Sequence, residues 1–275
     1  MQNYDRLSIV VSLVLLGLAL MLLIRLPTRI VQTELFGSPV EIVLSGRLVM
    51  ALFLSTLTAV GVEYIMRAHP EFGPEGLAGY SFPFWILPTG VTLAASWLTP
   101  ALLQYGIPLW IGGLAVAAVA LSAVIVAEYR TIDRKDSFYT PARLFLNVVA
   151  YLSGLVLFSL VYGAKLRSAI SASSVTVLAA LLALSLLRAG RAESARTWIY
   201  SAICGLVLGE ATWALNYWGV GGLAGGGLLV LIFYFFSGLA QQRLLNRLGR
   251  PVLIEFGIVG AVGLFLLATQ GALSW

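Results

Sequence analysis

Glu210 is the strongest candidate in this sequence for a chemical or binding role, because it is an ionisable residue inside the long apolar segment 197–218. At about 100° per residue in a helix, Trp213 and Tyr217 share an arc of roughly 60° with it. A carboxyl group beside aromatic rings could bind a cation or relay protons, and it could equally be a neutral group in a structural hydrogen bond. The spacing therefore predicts a candidate binding face of Glu210, Trp213 and Tyr217, and leaves the structural interpretation open.

A second polar stripe lies in the apolar segment 144–163, where Asn147 and Tyr151 are one helical turn apart. Together with Glu210, these side chains could line a hydrated path for a solute. The alternative is that they hydrogen-bond between packed helices, which is the common use of amide and hydroxyl groups in membranes. Asn147 and Tyr151 are therefore the second part of the candidate binding site.

The other acidic residues have simpler interpretations. Besides Glu210, only Glu63 and Glu255 fall inside apolar segments, and both lie within about a turn of a segment end, in reach of Arg67 or Arg250. We expect them to be solvated or paired at the membrane surface. Three further acids, Glu128, Asp133 and Asp136, alternate with basic residues in sequence, which favours a solvated ion-pair surface over a cation site.

Several chemistries lack the residues they require. The chain has one histidine, His69, and one cysteine, Cys204, so a multi-histidine metal site, bis-histidine haem and an internal disulfide are excluded. No lysine or aspartate falls inside an apolar segment, and no phosphate-binding loop is present. We therefore expect no catalytic residues, no metal and no cofactor, and we favour a non-enzymatic protein without deciding the question.

The amino-acid composition indicates that membrane-spanning helices position these residues. Of 275 residues, 60% are hydrophobic and 11% are charged, against roughly 25% charged in soluble domains. Backbone groups in hydrocarbon have no water to bond, so each long apolar segment must be a helix. We predict one all-α domain over 1–275, a polytopic transmembrane bundle with about nine spans near 7–26, 47–66, 83–104, 108–127, 144–163, 168–187, 197–218, 225–242 and 252–270.

Charge placement predicts the orientation of this bundle. Most of the 17 lysines and arginines fall in segments on the same side as the N-terminus. The N-terminus is therefore expected in the cytoplasm and the C-terminus outside. A count of eight spans would put the C-terminus inside and break the alternation between basic cytoplasmic segments and less basic outer segments. Because the positive charges flank apolar segments, the net charge of +5 indicates lipid contact rather than nucleic acid.

Between the first two spans, residues 28–45 alternate β-branched and polar side chains around Gly37-Ser38-Pro39. This pattern predicts a small β-hairpin on the extracytoplasmic side. An isolated pair of strands is marginally stable in water. The hairpin is therefore expected to pack on the helix ends.

Three stretches, Arg25-Leu-Pro-Thr-Arg29, Phe82-Pro-Phe-Trp-Ile-Leu-Pro88 and the run from Glu210 to Trp218, resemble a family of bacterial polytopic membrane proteins known only as a domain of unknown function. The resemblance implies a bacterial cytoplasmic membrane and assigns no activity. The leading hypothesis is a non-catalytic subunit or scaffold with lipid and other membrane proteins as partners. The alternatives are a carrier for a small or amphipathic solute that uses Glu210, and a lipid-modifying enzyme with Glu210 as acid or base.

Overall fold

The computed structural model describes residues 2–24, 26–35, 38–70, 81–133, 135–188, 195–246, 249, 254, 257–263 and 265. Within these residues the chain is almost entirely helical, apart from two strands near the N-terminus. In chain order the elements are α1 (Gln2–Leu20), β1 (Arg29–Leu35), β2 (Ser38–Leu44), α2 (Gly46–Met66), α3 (Phe82–Leu102), a 3-10 turn (Leu103–Tyr105), α4 (Ile107–Arg130), α5 (Tyr139–Gly163), α6 (Ser168–Leu187), α7 (Ala195–Leu215) and α8 (Gly222–Leu244).

Seven of the described helices, α2 to α8, are long and apolar enough to cross a membrane. This is the helix content of a multi-pass membrane protein, and these seven coincide with the second to eighth predicted spans. The first predicted span corresponds to α1, which has 19 residues and ends at Leu20 rather than near residue 26. The ninth predicted span, 252–270, lies largely outside the described residues, and so does Glu255.

Local sequence explains where several helices begin. The Ser45 side chain accepts a hydrogen bond from the Leu48 N–H at 3.2 Å, which satisfies one of the unpaired donors at the start of α2. Pro83 lies in the first turn of α3, where its missing N–H costs no helical hydrogen bond. Gly106 separates the 3-10 turn from α4. Its φ of +114° is a backbone conformation that residues with a Cβ atom rarely adopt.

β1 and β2 occupy the segment between α1 and α2. They pair antiparallel, with Arg29 opposite Leu44 and Leu35 opposite Ser38. The connecting residues 36–37 lie outside the described part of the chain. The predicted hairpin, and its packing on the helix ends, therefore stay predictions.

Two clusters of buried apolar side chains form the core. One lies among α1, α2, α3 and α4 and includes Val14, Leu54 and Ile125. The other lies among α3 to α8 and includes Phe158 and Phe233. Because α3 and α4 contribute side chains to both clusters, they join the two halves of the bundle.

The two ends of the bundle carry different polar groups. We call them the Arg188 end, where α4 and α6 finish and α5 begins, and the Lys165 end, where α5 finishes and α6 begins. At the Lys165 end the Tyr162 hydroxyl donates to the Leu215 carbonyl oxygen at 2.8 Å, and Lys165 Nζ donates to the Val220 carbonyl oxygen at 2.9 Å. The first bond satisfies the carbonyl group of the last residue of α7, which finishes three residues before the predicted end at 218, and the second satisfies one just before α8.

Candidate functional site

The predicted face of α7 lies on the outside of the bundle. Glu210 is exposed, and so are Trp213 and Tyr217, which expose 50% and 78% of their surface. The Trp213 Nε1–H donates to the Tyr217 hydroxyl at 3.4 Å, so the two rings are on one face, as the spacing predicted. Among the residues that the structure describes, Glu210 has no hydrogen-bond or ion-pair partner. A role of this face in binding stays a prediction.

The opposite face of α7 explains this orientation. Its buried positions are occupied by small or apolar residues, namely Thr197, Ser201, Cys204, Gly205, Leu208, Gly209, Thr212 and Leu215. These residues recur at three- and four-residue intervals and pack against α6 and α8. Glu210 is not one of these buried positions and lies on the other side of the helix, so packing of the buried face turns its carboxyl group outward.

Tyr151 lies elsewhere, where α5 meets α8, and Asn147 lies one helical turn before it on α5. The Ser237 hydroxyl donates to the Phe233 carbonyl oxygen at 2.6 Å, so the Tyr151 hydroxyl is the donor in its 3.2 Å contact with Ser237. The Tyr151 ring also packs edge-on against Tyr234, with ring centroids 5.5 Å apart. Asn147 is half-buried, and its Oδ1 is buried without a hydrogen-bond partner. The structure therefore separates these residues from the outward face that carries Glu210.

Among the described residues, the most strongly buried charges form an ion pair that the sequence pattern did not predict. Glu128, at the end of α4, is completely buried, and Arg188, just after α6, is nearly so. Arg188 Nη2 lies 2.5 Å from Glu128 Oε2 and 3.2 Å from Thr131 Oγ1. The expectation of a solvated surface is therefore wrong for Glu128, whose carboxylate is paired inside the protein.

Two further groups lie beside this buried ion pair, although Glu128 Oε1 and Arg188 Nη1 have no hydrogen-bond partner among the described residues. The Arg188 guanidinium carbon lies 3.9 Å from the centroid of the Phe84 ring, a cation–π contact with the start of α3. Arg143, at the start of α5, donates from Nη2 to the Leu186 carbonyl oxygen, which caps the end of α6. Polar and ionic contacts thus join α3, α4, α5 and α6 at the Arg188 end.

One signal in the sequence could have identified Glu128 as buried. It follows Leu121, Val124 and Ile125 at intervals of seven, four and three residues, so it shares their helical face. All three are buried. The alternation of acidic and basic residues along the chain obscured this helical periodicity.

A cavity of about 290 Å³ lies beside this cluster at the Arg188 end, and His69, Tyr129 and Asp136 line it. The rings of His69 and Tyr129 meet edge-on with centroids 4.6 Å apart. Burial lowers the pKa of His69, and the negative charges of Asp133 and Asp136 act in the opposite direction. Within the described part of the chain, no group of three or more His, Cys, Asp or Glu side chains could hold a metal ion.

The lowered pKa of His69 predicts how stability depends on pH. Since the folded pKa lies below the ordinary value of 6.5, the unfolded chain binds more protons as the pH falls through that value. The free energy of unfolding should therefore decrease on acidification below about pH 6.5 and level off below the folded pKa. His69→Gln should remove this decrease, as measured by unfolding titrations in detergent across that interval. An unchanged pH profile in His69→Gln would exclude His69 as its source.

The comparisons with known proteins identify a family but no activity. A family model described as a protein of unknown function, DUF5656, matches residues 26–270. Neither the curated proteins nor the solved structures include a match to this chain.

Proposed function

This chain belongs to the DUF5656 family of proteins of unknown function, and we propose that it acts as a non-catalytic subunit of a membrane-protein assembly. The observation that carries the proposal is the exposed carboxyl group of Glu210 on α7, a helix long and apolar enough to cross a membrane. The partner would cover the outward face of α7 and donate a hydrogen bond to Glu210.

The cost of exposing this group to lipid supports the proposal. The residues around it on the same face, Ile203, Leu206 and Trp213, are exposed and apolar or aromatic. An acidic side chain inside a membrane-spanning helix costs roughly 2.5–3.5 kcal/mol on insertion scales. A donor from a neighbouring helix would offset that cost, and apolar residues around the bond would pack against the partner.

The carrier and enzyme alternatives have weaker support. A carrier of the expected kind would have Glu210 and Asn147 in one cavity, but Glu210 faces outward and Asn147 lies on α5 beside Tyr151. An enzyme would need a second ionisable group within hydrogen-bond reach of Glu210. Among the described residues Glu210 has no such neighbour.

We place the protein in a bacterial cytoplasmic membrane with its N-terminus inside. Arg67, Arg130, Arg143 and Arg188 all lie at the end of the bundle where α1 begins. An excess of basic residues is typical of the cytoplasmic side. Reporter fusions after Leu20 and after Leu244 would test this orientation.

Glu210→Leu separates the subunit proposal from a structural role. Because a leucine side chain is more stable in lipid than a glutamate side chain, the isolated protein should become more stable by roughly 2–3 kcal/mol. The assembly with the partner should be lost. Detergent unfolding titrations measure the first effect. Photo-crosslinking from position 206 on the α7 face, in native membranes, measures the second.

The matched control is a photo-crosslinker at position 119, which is exposed on α4. We expect a defined crosslinked product from position 206 that disappears in Glu210→Leu, and no such product from position 119. The proposal is wrong if position 206 gives no product, or if the product persists in Glu210→Leu.

A further inference from the structure

A groove runs between α2 and α3 on the lipid-facing side of the bundle. It has a volume of about 590 Å³, and its walls include Leu52, Val60, Phe82 and Trp85. Leu52 and Val60 are exposed on the outer surface of α2, so the groove opens sideways from the protein. Its volume falls in the range of small-molecule sites, about 300–1,000 Å³.

The polar end of the groove carries an unsatisfied acceptor. Glu63 lines the groove near the end of α2, and its Oε1 lies 2.6 Å from Arg67 Nε. Its other oxygen, Oε2, is buried and has no hydrogen-bond partner. The Arg67 side chain is 73% exposed beside it, so the Arg188 end of the groove presents a carboxylate and a guanidinium side by side.

A second unsatisfied group lies further along the same wall. Ser55, two helical turns from Glu63, lines the groove with a buried hydroxyl that has no partner. Its neighbours on α2 behave differently, because Thr56 and Thr58 donate to the carbonyl oxygens of Leu52 and Leu54. Buried polar groups normally have partners, so two partnerless groups in one groove indicate a ligand with polar atoms.

The opposite end of the groove is apolar. An adjoining cavity of about 140 Å³ shares Leu52, Ser55 and Trp85 with the groove and continues between α3 and the leucines Leu157, Leu178 and Leu182. The whole space therefore changes from charged at the Arg188 end to apolar further into the bundle. This is the polarity of a lipid with its headgroup at the membrane surface.

We propose that this groove binds a zwitterionic phospholipid whose headgroup carries a primary ammonium and a phosphate. The ammonium donates to Glu63 Oε2, and the phosphate pairs with Arg67. The Ser55 hydroxyl donates to an ester carbonyl oxygen of the lipid, and one acyl chain lies along Trp85 toward Leu157. A choline headgroup has no N–H to donate, and a glycerol headgroup has no cation to pair with Glu63. The proposal does not depend on a partner at α7.

Lipid retention by the full-length protein tests this site. The purified protein is titrated separately with phosphatidylethanolamine, phosphatidylcholine and phosphatidylglycerol, and bound lipid is counted by native mass spectrometry. The wild type should retain the ethanolamine lipid in preference to the other two. Glu63→Gln should reduce that preference by about tenfold, since a charge-assisted hydrogen bond is replaced by a neutral contact.

Two other variants complete the test. Leu52→Trp places a large side chain at an exposed position of the groove and should reduce retention of the ethanolamine lipid without disturbing the core. Asp5→Asn removes an exposed carboxylate at the start of α1, outside the groove, and should leave the preference unchanged. Equal retention of the three lipids by the wild type, or an unchanged preference in Glu63→Gln, would overturn the proposal.

Discussion

Replacing Arg188 by methionine should lower the free energy of unfolding by about 3–5 kcal/mol, the cost of leaving one partner of a buried ion pair unpaired. Glu128 is completely buried, and its carboxylate oxygen Oε2 lies 2.5 Å from Arg188 Nη2. Methionine would fill much of the volume but could neither pair with the carboxylate nor interact with the Phe84 ring. Equilibrium unfolding in mixed detergent micelles would measure the loss.

An exposed pair in the same protein provides the matched control. Arg67 and Glu63 also form an arginine–glutamate contact, at 2.6 Å, but the Arg67 side chain is largely in solvent. Arg67→Met should therefore cost only about 0–1 kcal/mol. Equal losses in Arg67→Met and Arg188→Met would show that burial does not determine the strength of these pairs.

The double variant Glu128→Leu with Arg188→Met separates an unpaired charge from lost packing. Replacing both members of a buried pair by apolar groups is often neutral, because no charge remains to be desolvated. The double variant should therefore be more stable than Arg188→Met alone. If it is less stable than Arg188→Met, lost packing rather than the unpaired carboxylate causes most of the destabilisation.

Gly205→Ala should destabilise the protein by about 1–3 kcal/mol, the range for overpacking a dense interface. A Cβ atom at Gly205 of α7 would lie 2.6 Å from the Thr176 carbonyl oxygen and 2.8 Å from the Ala180 Cβ on α6. Both are too close for a carbon atom, and one of them belongs to the backbone, so the two helices would have to separate. Small residues at such positions allow close helix contact in membranes.

Gly112→Ala is the control for this substitution. Gly112 lies inside α4, and a Cβ atom there would meet nothing within 4 Å. Alanine has a higher helix propensity than glycine, so Gly112→Ala should be neutral or more stable than the wild type by up to about 1 kcal/mol. Unfolding titrations of both variants under the same conditions give the comparison. Similar losses in both would mean that helix contact at Gly205 is not the cause.

The helices were largely predictable because they depend on local properties of the chain. A long apolar run has to satisfy its own backbone hydrogen bonds in lipid, and this requirement needs no knowledge of neighbouring helices. The break at Gly106 was also visible in sequence, since this glycine lies two residues before Pro108 and separates two apolar runs. The predicted helix ends were less accurate than the helices themselves. At the end of α7, for example, the Leu215 carbonyl oxygen accepts a hydrogen bond from Tyr162 on another helix, which the sequence does not show.

The candidate site was only partly predictable. Helical spacing correctly placed Trp213 and Tyr217 on one face of α7. It could not show that Glu210 on this face points out of the bundle, because the direction depends on which side of α7 packs against α6. The same limit applies to Tyr151, whose partner Ser237 is 86 residues away in sequence.

Glu128 and Glu210 together show what each level of structure decided. The sequence by itself determined that Glu210 lies inside an apolar helix, but it placed Glu128 just beyond the end of the predicted span 108–127. Only the tertiary structure decided that Glu128 is buried against Arg188 whereas Glu210 is exposed. The physical reason is that a carboxyl group's environment is set by the neighbouring helices, and those contacts join residues far apart in the chain.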